Sequence, residues 1–317
     1  MENYNFYQRF LHDLVLGNNF IKKSLYELEK VIYLKKNNFI DKKHIFITGL
    51  PRSGTTTLLN FIYSSNSFAS LKYANMPFIL SPNISKILKR KNIELKERFH
   101  EDGIMFDLNS PEAFDETFFS MLDEKSIKNE LINYISLILL SENKTKYLSK
   151  NNLNYKRINI IQSILPNSLF VIPIREPIQH SYSLLVQHLH FSKLHKQNDF
   201  IRRYMNYLGH NEFGVDHIPW NKSQKYNDPM DINYWLEQWI LFYEKIYNNY
   251  KNNSNCKFIT YEELVDKKVI SDLINFLNIE VSNDFIFKCN NKKNIDITYD
   301  DQMYKRACNT YIKFNVI

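Results

Sequence analysis

The stretch HIFITGLPRSGTTTLLNFIY, residues 44–63, constrains the fold more than any other part of the chain. Ile45, Phe46 and Ile47 make an apolar run of strand length, and an apolar pattern at helical spacing resumes between Thr57 and Ile62. Between them stand Gly49 and Gly54, two of only six glycines in 317 residues, so the turn calls for backbone geometry that other residues do not reach easily. A strand, a Gly-bounded turn and a helix start gather several unpaired N–H groups and a positive dipole end around one point, which suits phosphate. Arg52, Ser53, Thr55 and Thr56 add a cation and three hydroxyls there. Two further short apolar runs, Ser168–Ile174 and Cys256–Thr260, each precede a helix-like stretch. This alternation predicts an α/β chain with a central parallel sheet flanked by helices, in three layers. Pro173 belongs at the carboxyl edge of its strand, because proline cannot serve a central ladder.

The spacing Gly49-x-x-x-x-Gly54 begins like a nucleotide-triphosphate loop, yet Thr55 occupies the place of its lysine. A kinase-like nucleotide enzyme is therefore the weaker alternative, beside a non-catalytic nucleotide- or glycan-binding module. GLPRSGTT instead resembles the 5′-phosphosulfate loop of sulfotransferases that use 3′-phosphoadenosine-5′-phosphosulfate (PAPS), most closely the PRSGTT form of tyrosylprotein and many bacterial enzymes. The resemblance implies a P-loop-like fold, and it implies that Pro51, Arg52, Ser53, Gly54, Thr55 and Thr56 hold the cofactor. It extends to SLFVIPIREPIQHSYSLLVQH, where Arg175 follows a strand and Ser183 comes eight residues later, similar to the family's 3′-phosphate motif. An arginine fork and a hydroxyl suit that dianion. FITYEELVDKKVISDLINFLNI and YWLEQWILFYEKIY resemble two further family stretches, whose Trp235, Trp239, Phe276 and Leu277 read as core. Two departures stand out: Thr57 replaces the Trp that stacks on adenine in cytosolic members, and their C-terminal phosphate clamp is absent. Lys305 and Arg306 could replace that clamp, although a solvated basic pair is the simpler reading.

Sulfuryl transfer needs a cation at the sulfate and a base for the acceptor hydroxyl. Lys150, in YLSKNNLNYKRI, resembles the family's sulfate-side lysine. The carboxylate that tyrosylprotein sulfotransferases use as base has no counterpart after the first helix. The segment FHEDGIMFDLNSPEAFDETFF supplies three candidates: Glu112 and Glu116, four apart on one helix face, and His100, which stands beside Asp102. Sequence alone does not choose among them. A glycine-containing loop, LGHNEFGVDHIPW, carries His210, Glu212 and His217 and reads as the acceptor side, bordered by Tyr204, Tyr207, Phe213 and Trp220. Those rings favour a carbohydrate hydroxyl, on a glycan or glycolipid, over a small phenol.

The net charge of +7 fits a polyanionic ligand, but no block of like charge marks a nucleic-acid arm, so no nucleic-acid partner is expected. Three cysteines without metal-ligand spacing argue for a reducing compartment, and no metal is expected. The longest apolar stretch, Leu131–Leu140, is too short to cross a bilayer, so the chain is expected to be cytoplasmic, with no transmembrane segment. Without repeats or linkers it reads as one domain over 1–317, comprising an N-terminal helical segment (1–43), a core (44–280) and a C-terminal segment (281–317). Ile21, Leu25, Leu28 and Ile32 form an apolar stripe expected to pack on the sheet, and residues 84–100 are expected to be helical.

Overall fold

The computed structural model describes residues 5–34, 39–88, 94–98, 100–101, 103–281, 285, 287 and 294–316. Asp102 and Cys289 lie outside them. The described strands are β1 (Ile45–Ile47), β2 (Phe68–Ala69), β3 (Lys96–Glu97), β4 (Met105–Phe106), β5 (Lys146–Lys150), β6 (Leu169–Ile174) and β7 (Cys256–Thr260). The helices are α1 (Phe6–Val15), α2 (Asn19–Tyr33), α3 (Thr55–Tyr63), α4 (Pro82–Ser85), α5 (Glu116–Phe119), α6 (Glu124–Glu142), α7 (Ile158–Ile164), α8 (Pro177–Gln197), α9 (Asp199–Tyr207), α10 (Ile232–Tyr250), α11 (Lys267–Leu277) and α12 (Asp301–Ile312).

Five strands form one parallel sheet in the order β2-β5-β1-β6-β7, with β1 at its centre. Alternate residues leave its two faces. Ile45, Ile47, Leu148, Val171 and Ile259 join α3 and α11 in one apolar cluster, while Phe46, Tyr147, Phe170 and Ile172 join α6, α8 and α10 in the other. The expected three-layer parallel architecture is thus present. Pro173 sits inside β6, where it pairs with β7, but the ladder with β1 ends at Val171, so its missing N–H costs no bond on that side.

Two local expectations fail. Of the described residues in 84–100, only Ile84 and Ser85 are α-helical, and Lys96–Glu97 pairs antiparallel with Met105–Phe106. The stripe on α2 is half turned outward, with Ile21 and Leu25 partly buried. Lys22, Tyr26 and Glu29 are the buried residues, whereas Leu28 is 48% and Ile32 55% exposed. The helix packs on α4 and α6 rather than on the sheet. The cause is polar: both Glu29 carboxylate oxygens accept hydrogen bonds from the start of α4, at Asn83 N (2.7 Å) and Ile84 N (3.0 Å). Those amides are the unsatisfied donors of a helix N-terminus, and capping them fixes which face of α2 turns inward. β5 and the β3–β4 pair carry no apolar run that announces them.

Candidate active site

A cleft of about 1560 Å3 opens at the carboxyl ends of the sheet strands. The loop after β1, Lys150 at the end of β5, Arg175 after β6 and Tyr261 after β7 all line it. This is where ligands bind in open α/β sheets.

The loop has the shape its composition calls for. Arg52 adopts a left-handed φ of 71° and Gly54 one of 99°. A Cβ at Gly54 would stand 2.9 Å from the Tyr261 ring, so only glycine fits. No side chain caps α3, and its first intrahelical bond runs from Leu58 N to Gly54 O. Its opening amides, on Thr55, Thr56 and Thr57, therefore have no protein partner among the described residues, and all three residues line the cleft. Ser53 is different. Its hydroxyl is buried and donates to Leu50 O at 2.7 Å, closing the loop on itself.

The two motifs read from sequence meet directly. Arg52 Nε donates to Ser183 Oγ at 3.3 Å, and Arg175 Nη1 donates to Arg52 O at 3.3 Å. Three residues behind them fix this junction, and none was read from sequence as part of the site. His180, one helical turn before Ser183, is buried and donates from Nε2 to Pro51 O at 2.8 Å. Burial, reinforced by Arg175 and Arg52, pulls its imidazole down to about 3, so it holds the loop as a neutral donor. Trp239 Nε1 donates to Arg175 O at 3.2 Å and Tyr243 OH to Pro173 O at 3.0 Å, so α10 anchors the end of β6. Trp239 was expected as core, and it is fully buried. Arg175 also lies over the Tyr261 ring at 5.2 Å.

Lys150 and Glu112 face each other across the cleft floor, with Nζ 3.8 Å from Oε1. Arg98 Nη1 (2.7 Å) and Tyr73 OH (2.9 Å) donate to Glu112 Oε2, and Ala113 N (2.8 Å) donates to Oε1. Burial would raise this carboxyl, but Arg98, Lys150, the Ala113 amide and His100 outweigh it and hold it well below the usual carboxylate range. His100 lines the same cleft, its ring 5.1 Å from that of Phe191.

Glu116 is elsewhere. Arg157 grips its carboxylate with two bonds of 2.8 Å and Asn151 Nδ2 adds a third at 2.8 Å, and it is not among the residues that line the cleft. The shared helix face expected for Glu112 and Glu116 does not form, because helix α5 begins only at Glu116. Between them Asp115 is buried and accepts from Tyr134, Tyr147 and Ser149 (2.7 Å), which ties this segment to β5.

The 208–217 loop supplies a carboxylate that the sequence placed only on the acceptor side. Glu212 lines the cleft, and its Oε1 accepts from Asn152 Nδ2 at 3.0 Å. Asn152 lies two residues beyond Lys150, and its carbonyl accepts from Thr48 Oγ1 at 3.2 Å, at the foot of the phosphate loop. Gly214, at φ 86°, lets this loop press against His195, which a Cβ would approach to 2.4 Å. His210 donates from Nε2 to Ala113 O (2.7 Å), and His217 pairs with the Tyr234 hydroxyl. Of the four rings expected here, Tyr204 and Phe213 line the cleft. Tyr207 is bound to Asp13, and Trp220 is buried against Trp235. Arg306 is bound to Glu244 at 2.9 and 2.5 Å, and neither it nor Lys305 is among the lining residues, in keeping with a surface basic pair.

Comparison with known proteins bears on the fold and the family. The structure is similar to sulfotransferase STF1 from Mycobacterium tuberculosis H37Rv, with a TM-score of 0.51 and 12% identity over 96% of this chain and 85% of that one. Sulfotransferase STF9 from Mycobacterium avium gives a TM-score of 0.44 and 13% identity over 98% of this chain and 78% of that one. No curated protein matches the chain. A profile described as the Sulfotransferase family matches residues 44–218, more than half of the sequence, and so runs from the strand before the phosphate loop, through Arg175 and Ser183, to the loop that carries Glu212. The chain belongs to the sulfotransferase family.

Proposed function

We propose that the protein moves the sulfuryl group of PAPS to a hydroxyl of a carbohydrate acceptor, on a glycan or glycolipid. The observation that carries the donor assignment is the junction of Arg52 with Arg175 and Ser183, which lie 123 and 131 residues further along the chain, at the carboxyl end of the sheet. A donor bearing a 3′-phosphate and a 5′-phosphosulfate supplies an activated sulfuryl group and two anionic ends, and the residues present fit both. Arg52 and the opening amides of α3 neutralise the 5′ end. Arg175 and Ser183 hold the 3′-phosphate, and Tyr261, beside Gly54, offers an aromatic face for the base in place of the missing Trp.

Lys150 stabilises charge on the transferred group, and Glu112 and Arg98 fix its position. Glu112 is unsuited to accept a proton, since its flanking cations hold it ionised. Glu116 is committed to Arg157. We assign the proton of the acceptor hydroxyl to Glu212, a cleft carboxylate that accepts from the neutral Asn152 amide, with His100 as the second candidate on the same cleft. Arginine and backbone dipoles balance the donor charge, so the reading requires no metal, and activity should survive a chelator.

Phe106, Phe213 and Tyr204 line the far side of the cleft and suit the faces of sugar rings. A volume of about 1560 Å3 leaves room for both a nucleotide and a larger acceptor. Calorimetric titration with 3′,5′-adenosine diphosphate, with ATP and 5′-AMP as controls, tests the donor. Tightest binding of the bisphosphate is expected, and preference for ATP would sustain the kinase alternative. Labelled donor offered with oligosaccharides, lipid alcohols, phenols and tyrosyl peptides tests the acceptor. Label on phenols alone would overturn the carbohydrate assignment and leave sulfuryl transfer standing.

A further inference from the structure

The two N-terminal helices carry their apolar residues on the outside. On α1, Phe6, Phe10 and Leu14 follow one another at four-residue spacing and are 77%, 55% and 39% exposed, with Tyr7 beside them at 78%. On α2, Phe20 (79%), Leu28, Val31 (83%) and Ile32 share an outward arc, while Lys22 and Glu29 face inward. The four rings alone offer roughly 400–700 Å2, at or above the largest apolar patch of an ordinary monomer. Packing does not explain this arc; it has the periodicity of a buried face but lies in contact with solvent.

Its position and its charges identify what it fits. Gln8, Leu11 and His12 of α1 line the cleft, as do Leu88 and Met105, which are themselves 43% and 49% exposed. The apolar surface therefore continues from the helix pair over the lip of the cleft. Lys23, Lys86 and Lys96 are exposed along it, and none forms an ion pair among the described residues. Most of the nearby acids are occupied, Asp13 by Arg203, Glu27 by Lys30, Glu97 by the Gly103 amide and Glu101 by His190 at 3.6 Å, while Glu94 is exposed. No helix among the described residues is long and apolar enough to cross a bilayer. We infer that this face docks on an anionic lipid surface, with aromatic and aliphatic side chains entering the headgroup boundary, lysines meeting the headgroups, and the cleft mouth held against the bilayer. Binding to lipid does not depend on the sulfotransferase reaction. Delivery of a glycolipid hydroxyl from the bilayer rests on the function proposed above.

The test is co-sedimentation of the full chain with vesicles of phosphatidylcholine alone and of phosphatidylcholine mixed with phosphatidylglycerol. The parental protein is expected to bind the mixed vesicles and to release as salt rises. Phe6→Ser/Phe10→Ser and Phe20→Ser/Val31→Ser should each weaken binding about tenfold or more, while Ile312→Ser, which removes an exposed side chain on α12, should not. Circular dichroism and calorimetric titration with 3′,5′-adenosine diphosphate confirm that each variant is folded. Absence of binding by the parental protein, or equal binding by folded variants, overturns the inference. So does a parental dimer that these substitutions dissociate in analytical ultracentrifugation, which would make the face a contact between two copies.

Discussion

On the side of the cleft assigned to the donor, each group follows a strand of the parallel sheet: the loop after β1, Arg175 after β6, Tyr261 after β7. The side assigned to the acceptor is built from α1, the β3–β4 pair, the last two turns of α8 (His190 to Gln197), α9 and the 208–217 loop, none of which directly follows a strand of that sheet. Donor groups are held through the main chain, since His180, Arg175, Trp239 and Tyr243 all donate to carbonyls of Pro51, Arg52, Arg175 and Pro173. On the acceptor side the two carboxylates are held by side chains, Glu212 by Asn152 and Asp216 by Arg202, and His210 alone among the named groups there donates to a carbonyl, that of Ala113. One side is thus a rigid product of the fold, while substitutions can reshape the other without disturbing the sheet.

If that division is real, the largest effect comes from the transferring groups between the two sides. Glu212→Gln keeps the shape and the bond to Asn152 but cannot accept a proton. Turnover should fall on the order of 10²–10⁴-fold, with affinity for 3′,5′-adenosine diphosphate unchanged, because a base acts in the transition state. A parallel His100→Asn variant should turn over near the parental rate. The reverse pattern would transfer the role to His100, and loss of bisphosphate affinity in Glu212→Gln would show that the two sides are not separable.

Next in size is a stability effect that should leave chemistry alone. Glu116 and Arg157 form a largely buried bidentate pair, with side chains 9% and 15% exposed. Glu116→Ala strands the guanidinium and should cost about 3 kcal/mol, read as a lower urea midpoint. Turnover per folded molecule should stay near parental. A selective loss of turnover at full stability would restore Glu116 as a catalytic group.

These two carboxylates show how far the sequence was legible. The phosphate loop, the strands at β1, β6 and β7, and the pairing of Arg175 with Ser183 could be read because their spacing is local: a loop follows a strand, and Ser183 lies two helical turns from it. Glu112 and Lys150 could be named as candidates, but that they hold each other is a contact across 38 residues with no periodic signature. Glu116 looked like Glu112 until its partner, Arg157, came into place from the turn before α7, 41 residues away. Glu212 was visible as a residue of an acceptor-side loop, yet nothing in LGHNEFGVDHIPW shows that Asn152 would draw it to the foot of the phosphate loop. The inverted face of α2 escaped for the same reason, because Glu29 turns inward only to cap α4.

A smaller effect sharpens the donor side. Arg175→Ala should weaken binding of 3′,5′-adenosine diphosphate by about 1.5–3 kcal/mol, the size of a hydrogen bond to a charged group, and should hardly alter binding of 5′-AMP. Ser183→Ala should act in the same direction and by less, since a neutral hydroxyl is lost. Equal losses for both nucleotides would mean that Arg175 supports the loop through Arg52 O rather than binding the 3′-phosphate.

The smallest expected effect probes the acceptor side through pH. Asp216 accepts from Arg202 Nε at 2.7 Å and Nη2 at 2.6 Å and from Asn206 at 2.8 Å, which ties the 208–217 loop to α9. The Arg202 hydrogen bonds, then that of Asn206, pull its carboxyl down to about 2. A carboxyl depressed on folding contributes stability that is present above its ordinary value of 3.8 and is lost as pH falls through about 2. The pair is solvent-accessible and screened, so the gain is local and modest rather than global. Amide hydrogen exchange over 208–217, corrected for intrinsic rates, should therefore speed up as pH falls from about 4 to about 2, while amides of β1 and β6 remain protected. Asp216→Asn should abolish that pH dependence. If the loop and the sheet lose protection together, the acceptor side is not the separately held element that its side-chain bonds imply, and the contrast between the two sides fails.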